Sequence, residues 1–451
     1  MATVKRNLLL PLLALTLVRG LIYAAVTPPW QAPDETGHFE YVWLVTNTGQ
    51  LPIDKDTPSA IEQEMLGSLY EWRYGEYIGR PLPERMPARI DDLPQSVFAQ
   101  RSRPAQYGRF SLSYLWAALF ILPLRHQDLV FQLFTARMSS VILNIAAVLL
   151  AYLTLRELLP SRPKLVALMT TVVVFLPQHT FVNSAVGDGP LAETMVCLVL
   201  YCWARLFRRG FGAWEVAGVA LGTVAGILSK ATATFLVPVD MAMALWLILY
   251  RSQRAWTRRQ VMWLGAGFSA LGIGTLLGIV SFVGIDIQST LELIFTPSSW
   301  TWVDQRGITL GNALLRSYDS FWANFGWMAV PVSERWYGAI ALLSLSALAG
   351  WVIGEPNKDL QPWAVGLMGI PALVACTAFV WVALLAQEAG YYQSQGRYLF
   401  PAVIPYSFLL VGGLERVVPS RLRSHVAASL LLFLVCFDAL CLAGYSLPFF
   451  Y

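Results

Sequence analysis

Asn7-Leu8-Leu9-Leu10-Pro11-Leu12-Leu13-Ala14-Leu15-Thr16-Leu17-Val18-Arg19-Gly20-Leu21-Ile22-Tyr23-Ala24-Ala25-Val26-Thr27 runs directly into Pro28-Pro29-Trp30-Gln31-Ala32-Pro33-Asp34-Glu35-Thr36-Gly37-His38-Phe39. The first part is an apolar stretch of the roughly 20 residues that a helix needs to cross the hydrocarbon core of a bilayer. It follows Lys5 and Arg6, as a signal peptide would, but it continues into Pro28-Pro29 without a small-residue cleavage site and reads as an uncleaved span. The second part delivers Asp34, Glu35 and His38 to the membrane surface. Prolines fix the exit path of the chain, and a helix starting near Pro33 puts Asp34 and His38 on one face, four residues apart.

Similar apolar stretches recur along the chain. Hydrophobic residues make up 56% of the sequence and charged residues 13%, against about 25% charged in ordinary soluble domains. A soluble enzyme is excluded, and the expected class is an all-α polytopic membrane protein with a single membrane domain over 1–451. Spans are expected at 7–27, 137–156, 165–183, 190–207, 212–229, 232–250, 261–283, 337–354, 363–386, 399–415 and 425–445. With the N-terminus inside, the cytoplasmic segments hold sixteen lysines and arginines against four acids, Glu157, Glu355, Asp359 and Glu415. That bias is the positive-inside pattern. Segment 110–134 breaks the alternation if it crosses, so it reads as a helix at the outer face, lying along the bilayer or re-entering it.

Residues 28–136 then form an extracytoplasmic first loop with membrane-surface helices, and 285–336 a second, Trp-rich outer loop. Segment 28–109 carries twelve of the twenty-eight carboxylates. Within it Ser59–Trp72 can form an amphipathic helix, and Pro81, Pro83, Pro87, Pro94 and Pro104 break the remainder into turns. The five cysteines, Cys197, Cys202, Cys376, Cys436 and Cys441, all lie in apolar stretches without a pairing pattern and read as buried small hydrophobes. Gly265-Ala266-Gly267 and Gly272-Ile273-Gly274 lie inside an apolar span with no strand before them, a pattern of close helix packing and not a nucleotide loop. The net charge of +4 gives no case for nucleic acid.

Several charged residues need an explanation. Asp34 and Glu35 suit a helix N-terminus, with Asp34 as cap, or chemistry at the surface. Asp188, between Gly187 and Gly189 at an outer turn, either caps the helix that Pro190 begins or faces a ligand. Lys230 and Arg397 are cations at the outer ends of spans, snorkelling to lipid headgroups or binding a phosphate. Arg19, Arg137, Glu193, Asp240 and Asp438 sit in or beside spans, where an unpaired charge costs about 2.5–3.5 kcal/mol on insertion scales.

Three motifs, Pro33-Asp34-Glu35-Thr36-Gly37-His38, Phe321-Trp322-Ala323-Asn324-Phe325-Gly326-Trp327 and Gln395-Gly396-Arg397-Tyr398-Leu399-Phe400-Pro401, occur in this order on outer segments. Together they resemble the GT-C class of membrane glycosyltransferases, which includes protein O-mannosyltransferase-like and aminoarabinose-transferase-like enzymes. The resemblance extends from about residue 7 to 415 and is greatest to a bacterial branch with these motifs. It implies a GT-C-like bundle of about eleven spans, and hexosyl or pentosyl transfer from a polyprenyl-phosphate sugar to a glycan, lipid or protein acceptor on the extracytoplasmic face. By the same resemblance Asp34 is the catalytic carboxylate and Glu35 orients the acceptor. Arg397, Lys230, Arg137 and Tyr398 bind the donor phosphate, and His38, Asp188 and Gln395 shape the acceptor side. A divalent metal held by Asp34, Asp188 and His38 is compatible with the residue types. Phosphate is a good leaving group, so one general base suffices and inversion is expected. The alternatives are a lipid or solute transporter using Asp188, Lys230 and Arg397 as a charged pathway, or a non-catalytic assembly subunit. Convergence of Asp34, Asp188 and Arg397 on one outer cavity with a lipid-sized side opening favours the enzyme, and scattered positions the subunit.

Overall fold

The computed structural model describes residues 8–49, 59–77, 79–94, 110–251, 300–354, 361–385, 390, 392 and 395–451. Among these, eight helical segments are long and apolar enough to cross a membrane. The helices are α1 (Leu9–Val26), α2 (Glu35–Thr48), α3 (Ser59–Glu71), α4 (Leu112–Ile121), α5 (Leu129–Leu158), α6 (Pro163–Val174), α7 (Pro177–Val182) and α8 (Gly189–Arg209). They continue with α9 (Ala213–Ser229), α10 (Leu236–Arg251), α11 (Leu310–Trp322), α12 (Glu334–Ile353), α13 (Pro362–Leu385), α14 (Val403–Val417), α15 (Arg423–Leu440) and α16 (Leu447–Phe450). Leu10, Val18, Leu221, Leu342, Leu348, Val352 and Leu432 point outward and exposed. A belt of that kind is stable where lipid covers it. Cys376 and Cys436 belong to this outer surface, so the expectation that all five cysteines are buried holds only for Cys197, Cys202 and Cys441.

Two expected spans change shape. The second begins at Leu129 and not at 137, because the Asp128 carboxylate accepts from the backbone N–H groups of Val130 (2.9 Å) and Phe131 (3.1 Å) and caps the helix there. The third, expected at 165–183, is broken into α6 and α7. Pro177 has no N–H and holds Leu176 extended (φ −77°, ψ 107°), which ends the first piece. The expected span at 261–283 and its glycine patterns lie outside the described residues.

Helix α4 and the 3-10 turn Leu122–Leu124 end before Arg125. Ten α-helical residues are about 15 Å long, half a bilayer core. It packs against α2, α5, α8 and α9. The first loop has a core of its own: Trp30, Phe39, Tyr41, Leu66, Leu69, Tyr74 and Ile90 are buried with Tyr114, Ile121 and Leu133 of α4 and α5. The Trp30 indole N–H donates to Ser68 Oγ at 3.0 Å, tying the segment after α1 to α3.

The Trp-rich motif forms a hairpin. Strand β1 (Asn324–Phe325) pairs antiparallel with β2 (Val330–Pro331), with Phe325 opposite Val330. Its tip carries positive φ at Gly326, Trp327 and Met328. The Trp327 indole donates to the Trp30 carbonyl at 3.0 Å, so the hairpin clamps the segment that presents Asp34.

The intramembrane charges are paired across the fold. Arg19 donates through Nε to Asp438 Oδ2 at 2.8 Å and through Nη1 to Thr180 Oγ1 at 2.8 Å, while the Tyr23 hydroxyl donates to Asp438 at 3.0 Å. Asp240 accepts from Trp203 Nε1 at 2.7 Å and Thr223 Oγ1 at 2.6 Å, which joins α8, α9 and α10. Burial of these groups is tolerable because each is hydrogen-bonded.

Candidate active site

Asp34 takes a left-handed conformation (φ 60°, ψ 7°) at the start of α2. For a residue other than glycine this costs roughly 1–3 kcal/mol and persists only where the surroundings impose it. They do so here. The Asp34 carboxylate makes no cap bond to α2 and instead pairs with Arg397 Nη2, while Arg397 Nη1 donates to the Pro33 carbonyl at 3.4 Å. The simple capping role open to Asp34 from sequence is not the one it adopts.

Arg397 is placed by its neighbour. Gly396 lies so close to α11 that a Cβ there would stand 2.2 Å from Phe321 N and 2.3 Å from Ser317 O. Its own N–H donates to Ser320 Oγ at 2.7 Å. Only glycine permits this approach, and it sets the position from which Arg397 reaches Asp34. The Arg397 Nε is buried without a hydrogen-bond partner among the described residues. An unsatisfied donor on a charged group costs about 1–3 kcal/mol or more.

Glu35 and Arg137 are fully buried against each other. Arg137 donates through Nε to Oε1 at 2.8 Å and through Nη2 to Oε2 at 2.6 Å. Its remaining donors go to the carbonyls of Ala24 (2.8 Å), Thr27 (2.5 Å) and Pro28 (3.1 Å), the last turn of α1 and its exit. The Val186 N–H donates to Glu35 Oε1 at 3.2 Å. In this geometry the Arg137 guanidinium and the Glu35 carboxylate are each engaged within the chain, not presented to the cleft that holds Arg397 and Lys230. A guanidinium forked onto a carboxylate with every donor engaged has nothing left to offer a ligand. The pair instead locks the end of α1, the start of α2, α5 and the turn before Asp188 together.

Asp188 precedes α8 and likewise makes no side-chain cap; its carboxylate accepts from Lys230 Nζ at 2.7 Å. Burial alone would raise the Asp188 carboxyl, but the Lys230 ammonium holds it down to about 2. Ser113 and Ser111 of the α4 segment donate to the carbonyls of Asp188 (2.9 Å) and Ser229 (2.9 Å), so α4 ties the two turns in place. The Tyr398 ring lies 5.7 Å from Lys230 Nζ and 5.7 Å from Arg397 Cζ, between the two cations. His38 is buried, with Nδ1 2.7 Å from the Tyr114 hydroxyl. Burial lowers its basicity against the opposing fields of Asp188 and Asp34.

His38, Asp188, Lys230, Arg397 and Tyr398 line one cleft, and Asp34, which is not among its lining residues, pairs with Arg397 beside it. Gln395 is not among the lining residues; its carbonyl accepts from Tyr398 N at 3.3 Å at the start of the turn that carries Arg397. The Asp34, Asp188 and His38 trio does not form a metal site: no group of three such ligands assembles among the described residues, and each member already faces a partner of its own. The cleft also has members that the sequence reading did not assign to it. Asn183 and Glu193 line it, and Asn183 Nδ2 donates to Glu193 Oε2 at 3.0 Å while His179 Nε2 lies 2.5 Å from Glu193 Oε1. Glu193 carried a signal, as an acid in a span. Tyr114 carried none.

The fold and cleft define a multi-pass helical membrane protein with a charged cavity at one end of the bundle. Residues 114–280 match the family described as dolichyl-phosphate-mannose-protein mannosyltransferase. The matched segment is rather more than a third of the chain. Among solved structures, the chain is similar to the archaeal oligosaccharyltransferase AglB from Archaeoglobus fulgidus in complex with an inhibitory peptide and a dolichol-phosphate, at 12% identity and a TM-score of 0.45, over 98% of this chain and 56% of that one. It is also similar to the apo form of the Archaeoglobus fulgidus oligosaccharyltransferase, at 12% identity and a TM-score of 0.40, over 100% of this chain and 56% of that one. The chain spans about half the length of these structures. No curated protein matches it.

Proposed function

We propose that the protein transfers a sugar from a polyprenyl-phosphate donor to an acceptor on the extracytoplasmic face, with inversion and with Asp34 as general base. The observation that carries this reading is the Asp34–Arg397 pair. A strained carboxylate turns from its own helix toward a guanidinium that retains a buried, unpartnered N–H beside an open cleft.

In this reading the donor phosphate lies between Arg397 and Lys230, with Tyr398 between the two cations. The acceptor hydroxyl attacks the anomeric carbon, and the bond from that carbon to the phosphate oxygen breaks. The electron pair leaves on the phosphate, where Arg397 and Lys230 stabilise it. The acceptor proton passes to Asp34. Asp188 holds Lys230 in position, and His38, kept neutral by burial and facing Tyr114, shapes the acceptor side. The bias of basic residues toward the opposite end supports an outward-facing cleft. Residues 28–136 and 285–336 then act as outer segments of one membrane domain. That Asp188 and Arg397 line one cleft while Asp34 pairs with Arg397 beside it supports an enzyme over an assembly subunit.

The test is Asp34→Asn in the purified full chain, assayed with a panel of polyprenyl-phosphate sugars for release of the lipid phosphate. The variant is expected to bind the donor and to lose transfer by 10²-fold or more, on the order of what general-base catalysis contributes. Turnover at the wild-type rate removes Asp34 from the mechanism.

A further inference from the structure

A second cleft lies between α6, α14 and α15. It is remote from the Asp34 cleft. Helix α5 leaves Arg137 beside Glu35 and runs 30 residues in all, a length of about 45 Å, before the chain turns into α6. Helix α14 starts just after Arg397 and ends at the same far end.

The mouth of this cleft is basic and its depth is apolar. Arg162, Lys164 and Arg423 line the mouth with a single acid, Glu415. Glu415 pairs with Arg162 Nη2 and stands 4.0 Å from Arg423 Nη1, so one carboxylate holds two guanidinium groups in place and leaves an excess of two positive charges. Lys164 is exposed and makes no ion pair among the described residues. The first turn of α15, with Ser424 on the cleft, adds the positive end of an 18-residue helix. Below the mouth the walls are Leu168, Leu414, Val426 and Leu430.

We infer that this cleft is a binding site for an acidic phospholipid, with its phosphodiester headgroup at Lys164 and Arg423 and an acyl chain along Leu168 and Leu430. A free anion would leave the apolar wall uncovered, and a neutral lipid would leave two positive charges uncompensated. Basic pockets between membrane helices recognise anionic headgroups through this combination, each cation adding on the order of 1 kcal/mol near the surface. The inference is independent of the sugar-transfer reading, since its readout is lipid retention and not turnover.

The experiment is native mass spectrometry of the delipidated full chain in detergent, supplied with an equimolar mixture of phosphatidylglycerol and phosphatidylcholine. Retention of one phosphatidylglycerol, preferred by on the order of thirtyfold, is expected from a net excess of two positive charges at the mouth. Lys164→Glu is expected to bring the preference near parity. Leu168→Trp, which fills the groove without touching the charges, is expected to lower retention of either lipid. Arg423 is left intact because its Nε also donates to the Val418 carbonyl at 3.2 Å and holds its own turn. Equal retention of both lipids by the wild type, an unchanged preference in Lys164→Glu, or displacement of the bound lipid by excess inorganic phosphate would each overturn the assignment.

Discussion

Gly396→Ala adds one methyl group where there is no room for it. The new Cβ would stand 2.2 Å from Phe321 N, 2.3 Å from Ser317 O and 2.5 Å from Phe321 Cα, against an ordinary contact of 3.4–4 Å. All three obstacles are backbone atoms of α11 and cannot rotate away. The Gly396 segment must therefore retreat by about 1 Å, stretching its bond to Ser320 Oγ and carrying Arg397 with it. Overpacking of this kind costs about 1–3 kcal/mol. A displacement of about 1 Å at a positioned group can cost on the order of 10²-fold in rate. Sugar transfer and thermal unfolding should be measured together on Gly396→Ala and on Ser320→Ala, which removes the hydrogen bond without adding bulk. Gly396→Ala is expected to lose turnover far beyond its loss of folded protein, and Ser320→Ala to keep most of it. If folded Gly396→Ala turns over at the wild-type rate, the placement of Arg397 by glycine is refuted.

Glu35→Met or Arg137→Met alone should destabilise the protein by about 3–5 kcal/mol, the effect of stranding one member of a buried pair. Glu35→Met combined with Arg137→Met should recover much of that in a denaturation cycle, whereas additive losses would show that the two do not act as a pair. The pH dependence follows from His38 and Asp188. Burial keeps folded His38 neutral while the unfolded chain takes up a proton below about pH 6.5, so its contribution is constant above that value and falls as the pH drops through it. His38→Gln should flatten this limb of the stability profile; an equally steep limb would remove His38 as its cause. Asp188, held at about 2, adds a further loss only below the unfolded carboxylate value of about 3.9.

The fold class was open to sequence reading because bilayer burial is a local property: α1, α8 and α12 each announce themselves by twenty or so apolar residues. Boundaries were less legible. Asp128 moved the start of α5 by capping it, and Pro177 cut the expected third span. The site was legible as a set of residue types, since Asp34, Asp188, Lys230 and Arg397 stood out against the apolar background. Their roles were not, and Arg137 is the clearest case. As an isolated cation it resembled Arg397, but five hydrogen bonds to Glu35 and three carbonyls give it a holding role.

Sequence alone determined that this is a multi-pass helical membrane protein and which charged residues required partners, because the cost of placing a charge in an apolar stretch depends only on its neighbours along the chain. Tertiary structure alone decided the partners. Arg19 meets Asp438 and Asp34 meets Arg397 across nearly the whole chain, and Asp188 meets Lys230 between adjacent helices. Such pairings depend on how helices cross and on details such as the missing Cβ at Gly396, and no pattern along the sequence encodes a distance between residues hundreds of positions apart.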